Sequence, residues 1–149
     1  MSYAAGVIPY TVMNNNFHFL LGMETSNRKW SGFVGGAEPN ETIEQTAIRE
    51  FHEETAKLFE RFDKFIQKQI ASKTPVIEKT ATGRTVYLWF IKFPEYTLFM
   101  NLSPFHENKK ILHQIQFNEK STLRWFNLNE IKNENVLFKL KKTINVIFK

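Results

Sequence analysis

Residues 35–56, GGAEPNETIEQTAIREFHEETA, carry the most informative pattern in the chain. Two adjacent glycines at the start indicate a loop whose backbone bends sharply or approaches another group closely. Thr42 then offers an N-cap before an acidic first turn, and the segment from Thr42 through residue 71 contains neither glycine nor proline. A helix is therefore predicted to begin just after Thr42.

Three glutamates share one face of this predicted helix. At about 100° per residue, Glu50, Glu53 and Glu54 fall within an arc of about 100°. Such closely spaced like charges repel unless a cation neutralises them, and carboxylate oxygens are the ligands that Mg²⁺ and Mn²⁺ prefer. The pattern predicts a divalent-metal site. The plain alternative is a solvated helix face whose charges pair with Arg49 and Lys57.

The remainder of the chain predicts strands and helices in alternation. One hairpin is expected across the asparagine-rich residues 13–16 and another across residues 81–83. The helical pattern after Thr42 predicts either one long helix or two helices joined near Ala56. Residues 94–104 are expected to be rich in loops. The predicted strands cover residues 7–12, 17–23, 74–80, 84–93 and 123–128, and a last helix covers residues 135–148.

This order favours an α/β fold of the α+β sandwich type, in which a mixed sheet packs between helices. A chain of 149 residues fits a single domain, which we expect to span residues 1–149.

Composition narrows the function. No apolar run approaches the roughly 18–20 residues of a membrane span, so no membrane partner is expected. The chain has no cysteine, which excludes thiolate chemistry, and its start lacks a basic n-region, so a cytoplasmic location is expected. The net charge of +5 and the pI of about 9.4 have two interpretations. Either the protein binds polyanionic ligands, or the charge reflects heavy lysine usage alone.

The spacing around the carboxylates resembles the Nudix box. Gly35, five residues, Glu41, seven residues and then Arg-Glu-Phe-His-Glu-Glu at residues 49–54 match Gly-x5-Glu-x7-Arg-Glu-aliphatic-x-Glu-Glu in register. The similarity spans about residues 3–131 and includes short motifs at residues 5–9, 20–22, 30–33 and 123–128. It implies the Nudix fold and metal-dependent hydrolysis of a diphosphate linkage.

The resemblance also implies a role for each matching residue. Metal ions, Mg²⁺ or Mn²⁺, would bridge phosphate oxygens and activate the water that attacks phosphorus. The implied residues are Glu50, Glu53, Glu54 and a carbonyl near Gly35 as metal ligands, Arg49 as the group that orients Glu50 or Glu53, and Glu41 as the residue that holds the loop against the helix.

Residues outside the box are expected to supply the general base and the substrate contacts. Glu119, six residues before Trp125, is the candidate base, and Glu107 is the reserve. The candidate substrate-binding residues are Trp30 and Trp125, from a wider set of aromatic side chains that would stack on a base, and Arg28 and Arg84, which would hold distal phosphates.

The expected substrate is a small nucleoside diphosphate derivative: a (d)NTP, a nucleotide sugar such as ADP-ribose, or a dinucleoside polyphosphate. Hydrolysis of a diphosphoinositol polyphosphate or an mRNA cap, and a non-catalytic nucleotide-sensing role, remain open. A nucleic-acid partner is not favoured, and either a monomer or a homodimer is compatible with the sequence.

Two positions depart from the box. Ala56 stands where the family has glycine, and Lys57 stands where it has an aliphatic residue. Glycine there would end the helix in a left-handed conformation, which costs an L-residue roughly 1–2 kcal/mol. The two departures predict that the helix continues through Leu58 and Phe62.

Overall fold

The expected mixed sheet between helices is confirmed. The computed structural model describes residues 3–94, 102–112, 117 and 119–148. The strands within these residues are β1 (Tyr3–Met13), β2 (Asn16–Glu24), β3 (Trp30–Ser31), β4 (Phe33–Gly36), β5 (Val76–Lys79), β6 (Thr85–Lys92) and β7 (Lys120–Asn127). They form one sheet of order β3-β2-β1-β6-β5, in which β4 also pairs with β1 and β7 with β2.

Strand β1 organises the sheet. Its first half pairs antiparallel with β4, its second half pairs antiparallel with β2, and β6 runs parallel along its other side. The first hairpin turns at Asn14 and Asn15, whose φ angles of 53° and 65° lie in the left-handed region that asparagine tolerates. Both predicted hairpins are present, the second as β5 and β6.

Helices cover both faces of the sheet over two separate cores. The helices are α1 (Ile43–Glu54), α2 (Asp63–Ser72), α3 (Pro104–Leu112), α4 (Leu128–Asn133) and α5 (Phe138–Ile147). On one face, Phe51 of α1 packs with Phe59 and Trp89. On the other face, Ile144 of α5 packs with Phe19. Among the described residues, no helix is long and apolar enough to cross a bilayer.

The expectation of one continuous helix is wrong. Helix α1 ends at Glu54, and a single 3₁₀ turn at residues 60–62 leads into α2. The break lies at Ala56 and Lys57, whose φ angles are 51° and 59°. Asn108 of α3 donates a hydrogen bond of 2.8 Å to the Ala56 carbonyl, so a long-range contact stabilises the break. The chain therefore takes the two-helix arrangement, with an L-residue where the box has glycine.

The region after β6 differs in part from the prediction. Residues 95–101 lie outside the described residues, and residues 104–112 form α3, a helix that the predicted order lacks and that begins where the expected loop region ends. The predicted last helix begins at Phe138 rather than at residue 135, and α4 precedes it.

Candidate metal and active site

The start of α1 is fixed by a capping box at Thr42, the residue that the sequence predicts as the N-cap. The Thr42 hydroxyl accepts a hydrogen bond from the Gln45 amide at 3.1 Å, and the Gln45 side chain accepts one from the Thr42 amide at 3.0 Å. Because the helix starts at a fixed residue, its later positions face fixed directions. Phe51 is fully buried in the core, and Glu50 and Glu54 lie buried beside it along the edge of the sheet.

One guanidinium joins the loop before α1 to the carboxylates on the helix. Arg49 donates from Nε to Glu41 Oε2 at 2.6 Å and from Nη2 to the Gly36 carbonyl at 2.8 Å. Its Nη1 donates to Glu50 Oε1 at 3.0 Å and to Glu53 Oε1 at 3.1 Å. The hydrogen bond from Arg49 lowers the pKa of Glu41 to about 2, and the same bond raises the pKa of Arg49. Loop and helix are thus held together by charge-assisted bonds.

Three carboxylates converge at the C-terminal half of α1. Glu50, Glu54 and Glu119 each offer a carboxylate oxygen, and these oxygens lie within 4.8 Å of one another. Glu50 and Glu54 are 7% and 2% exposed, and burial raises the pKa of both carboxyls. Glu53 is not a member of this group; its carboxylate accepts a hydrogen bond from Arg49, and 22% of its side chain is exposed. The reserve base, Glu107, lies exposed on α3.

Gly35 is required by the close approach of Glu50. A Cβ atom at residue 35 would lie 2.1 Å from Cδ of Glu50 and 2.2 Å from its Oε2. No side chain fits at that distance, so only glycine leaves the space that the Glu50 carboxyl occupies. The pairing of Gly35 with Ala5 holds this part of β4 against the carboxyl.

A buried lysine neighbours the acidic group. Lys120 is 2% exposed, and its Nζ lies 3.6 Å from Glu54 Oε1 and 3.7 Å from Glu24 Oε2. The same ammonium donates a hydrogen bond to the Ser31 hydroxyl, which itself donates to Glu24 at 2.7 Å. The sequence interpretation did not include Lys120, Ser31 or Glu24. The one local sign was a lysine directly after the candidate Glu119.

The donor set suits a hard divalent cation. Oε2 of Glu54 is buried and has no hydrogen-bond partner among the described residues, although such an atom is costly unless something binds it. A cavity of about 290 Å³ adjoins it, lined in part by Glu54, Glu119 and Lys120. Each acidic side chain of the group offers carboxylate oxygens, the ligand atoms that Mg²⁺ and Mn²⁺ prefer. Arg49 and Lys120 neutralise part of this charge, and space beside the carboxylates remains.

A second cavity of about 310 Å³ lies between the sheet and α5. Its walls are mainly aliphatic and include Ile8, Leu88 and Leu140, and Gly35 contributes to the end nearest the acidic group. Arg84 brings a guanidinium into this cavity, and its buried Nε has no hydrogen-bond partner among the described residues. The cavity combines a flat apolar space with a cationic donor.

The four candidate substrate-binding residues lie in different places. Arg84 lines the second cavity. Trp30 is 9% exposed and packs edge-on against Phe126 in the core under α5, with ring centroids 4.8 Å apart. Trp125 is half-buried on the opposite face, against the core under α1. Arg28 is exposed in the loop after β2, with a φ angle of 58°. The structure does not bring these four side chains together.

Comparisons with known proteins agree on one family. A family model described as NUDIX domain matches residues 3–145. The C. elegans Ap4A hydrolase, solved as a binary complex, superposes with a TM-score of 0.62 at 18% identity, covering 97% of this chain and 93% of that chain. A mutT/nudix family protein from Listeria innocua superposes with a TM-score of 0.62 at 18% identity, covering 99% of this chain and 91% of that chain.

A third similar structure is the NUDIX domain of Shewanella oneidensis NrtR complexed with ADP ribose. Its TM-score is 0.58 at 15% identity, covering 99% of this chain and 88% of that chain. Among curated protein sequences no significant match is found. At these identities the structural likeness concerns the fold.

Proposed function

Because the chain belongs to the Nudix family, we propose that it is a divalent-metal-dependent hydrolase that cleaves the diphosphate linkage of a nucleoside diphosphate derivative. The family match and the hydrolases among the similar structures support a pyrophosphohydrolase. The observation that carries the proposal is the convergence of Glu50, Glu54 and Glu119 within 4.8 Å, beside a buried carboxylate oxygen that lacks a partner.

Each residue of the site has a distinct task in this proposal. Glu50 and Glu54 would hold Mg²⁺ or Mn²⁺, and a bound divalent cation would supply charge neutralisation for the diphosphate and activation of water. Arg49 keeps Glu50 and Glu53 in place through Nη1. Because Glu119 is the exposed member of the acidic group, we assign it the role of accepting a proton at its carboxylate from the attacking water.

We place the organic part of the substrate in the cavity under α5. That cavity adjoins the acidic group along β4 and is large enough for a nucleoside-sized group. Its aliphatic walls would contact a base or ribose, and Arg84 would stack on a ring or bind a phosphate. Similar structures bound to ADP ribose or named as Ap4A hydrolase support this substrate class. Trp30 contributes little to substrate binding in this arrangement, because it packs in the core under α5.

The proposal is tested by incubating the protein with ADP-ribose, Ap4A and dNTPs in the presence of Mg²⁺ or Mn²⁺ and separating the products by chromatography. Glu54→Gln removes one carboxylate charge from the acidic group and should lower the rate by at least roughly 100-fold. Glu44→Gln makes the same change on the exposed face of α1 and should keep the wild-type rate. Equal rates for wild type and Glu54→Gln would refute the metal-site assignment.

A nucleotide-sensing role is the second candidate, because the NUDIX domain of Shewanella oneidensis NrtR is complexed with ADP ribose in one similar structure and NrtR is complexed with a 27mer DNA in another, at 16% identity with a TM-score of 0.53. It predicts saturable binding of a nucleotide without product at any concentration of metal. The same incubation therefore separates the two functions.

A further inference from the structure

The buried ammonium of Lys120 needs an explanation. A charged group out of contact with water is retained only where nearby groups compensate it. Glu54 and Glu24 lie 3.6 Å and 3.7 Å from Nζ, the Ser31 hydroxyl accepts its hydrogen bond, and the Phe33 ring lies 5.8 Å away. These partners come from β2, β3, β4 and the end of α1. One side chain thus connects the last residue of α1 to the sheet.

The path of the Lys120 stem depends on Gly22. A Cβ atom at residue 22 would lie 2.8 Å from Cδ and 3.0 Å from Cγ of Lys120. The aliphatic part of the lysine therefore crosses β2 over a position that has no side chain. At the other end of the residue, Lys109 of α3 donates a hydrogen bond of 2.8 Å to the Lys120 carbonyl. Both stem and backbone of Lys120 are held in place.

The two carboxylate oxygens of Glu54 have different surroundings. The ammonium lies beside Oε1, while Oε2 is buried without a partner. Glu54 is also the last residue of α1, just before the break at Ala56 and Lys57. Within the helix the neighbour of its carboxyl is the Glu50 carboxyl, so the positive charge beside Glu54 comes from outside the helix, from Lys120 of β7.

We propose that Lys120 is a positioning residue, which fixes the Glu54 carboxylate from the sheet so that its second oxygen stays directed toward the divalent cation. This inference rests on the proposed metal site. Lys120 does not itself bind the cation or the substrate. Its ammonium orients a ligand, as groups behind metal ligands generally do.

Mn²⁺ binding to the free protein tests the proposal, measured by electron paramagnetic resonance of unbound Mn²⁺. Lys120→Met keeps a stem of similar length and removes the charge. A positioning role predicts that the Kd for Mn²⁺ rises by about 10- to 100-fold. If the Lys120 ammonium merely repelled Mn²⁺, its removal would have the opposite effect and tighten Mn²⁺ binding. The sign of the change separates the two, and unchanged or tighter binding overturns the proposal.

Gly22→Ala provides a second variant that keeps every charge. Its Cβ would displace the Lys120 stem, so the Kd for Mn²⁺ should rise here too, and this variant carries the test if Lys120→Met does not fold. Lys68→Met on the exposed surface of α2 controls for the loss of one positive charge and should bind Mn²⁺ like the wild type.

Steady-state kinetics give the second readout. Lys120→Met should lower kcat at saturating Mn²⁺ while KM for the diphosphate substrate changes little, because Lys120 does not contact the substrate. If the wild type neither binds Mn²⁺ nor turns over any diphosphate, the proposed function itself fails. If the wild type does both and the folded variants match it, only the role of Lys120 fails.

Discussion

Replacing Gly35 by alanine should inactivate the site with little change to the fold. The new Cβ would lie 2.1 Å from Cδ of Glu50, far inside the 3.4 Å at which ordinary contacts begin. Glu50 is 7% exposed and its Oε1 accepts a hydrogen bond from Arg49 at 3.0 Å, so a shift of the carboxyl disturbs the contact that holds it. It must shift by about 1 Å or more, and a displacement of that size costs roughly 100-fold in rate.

The assay compares initial rates and Mn²⁺ affinity for Gly35→Ala and the wild type, with the diphosphate that the wild type hydrolyses fastest. Gly83→Ala is the matched control. An added Cβ there meets no atom within 4 Å, but the φ angle of 84° disfavours alanine. The control should therefore lose roughly 1 kcal/mol of stability and keep its activity. Wild-type rates and wild-type Mn²⁺ affinity in Gly35→Ala would refute the reasoning.

Two further predictions concern stability. Lys57→Gly relieves the left-handed conformation of an exposed residue whose φ angle is 59°. The larger unfolded-state entropy of glycine opposes this gain by roughly 0.4–1 kcal/mol. Calorimetry should therefore show a Tm higher by about 2–4 °C, and a lower Tm would contradict the prediction. Because Glu41 has its pKa lowered from 4.5 to about 2, its contribution is complete above pH 4.5 and is lost as the pH falls toward 2. As the pH is lowered over this range, the denaturant midpoint of Glu41→Gln should therefore fall less steeply than that of the wild type. Identical slopes against pH would rule out a stabilising role for the Glu41 carboxylate.

Features set by neighbouring residues were predictable from the sequence. The turn at Asn14 and Asn15 and the cap at Thr42 depend on groups within a few positions, and both form as expected. The convergence of Glu50 and Glu54 follows from helical spacing in the same way. The contact of Glu119 with them could not be derived from local spacing, since it depends on how β7 joins the sheet; the family resemblance indicated Glu119 only as the candidate base.

Features set by distant residues were not predictable. Propensity alone favours a continuous helix over a left-handed alanine, but the hydrogen bond from Asn108 to the Ala56 carbonyl and the burial of Ala56 support the break. Lys120 reads as an ordinary surface lysine until the fold brings Ser31, 89 residues away, to its ammonium. Trp30 seemed suited to stacking on a base, yet it fills the core under α5.

Strand β4 separates the acidic group from the cavity under α5 by the thickness of one backbone. At residue 35 the Glu50 carboxyl occupies the space of a missing side chain, and at residue 36 the guanidinium of Arg84 does the same, 2.6 Å from where a Cβ would be. Neighbouring positions on a strand face opposite ways, so the two glycines give up their space to groups on different sides of β4, whereas Glu24 and Val34 line both cavities. A substitution at Leu88 or Leu140 would therefore change the cavity under α5 alone, whereas one at Val34 would change both cavities together.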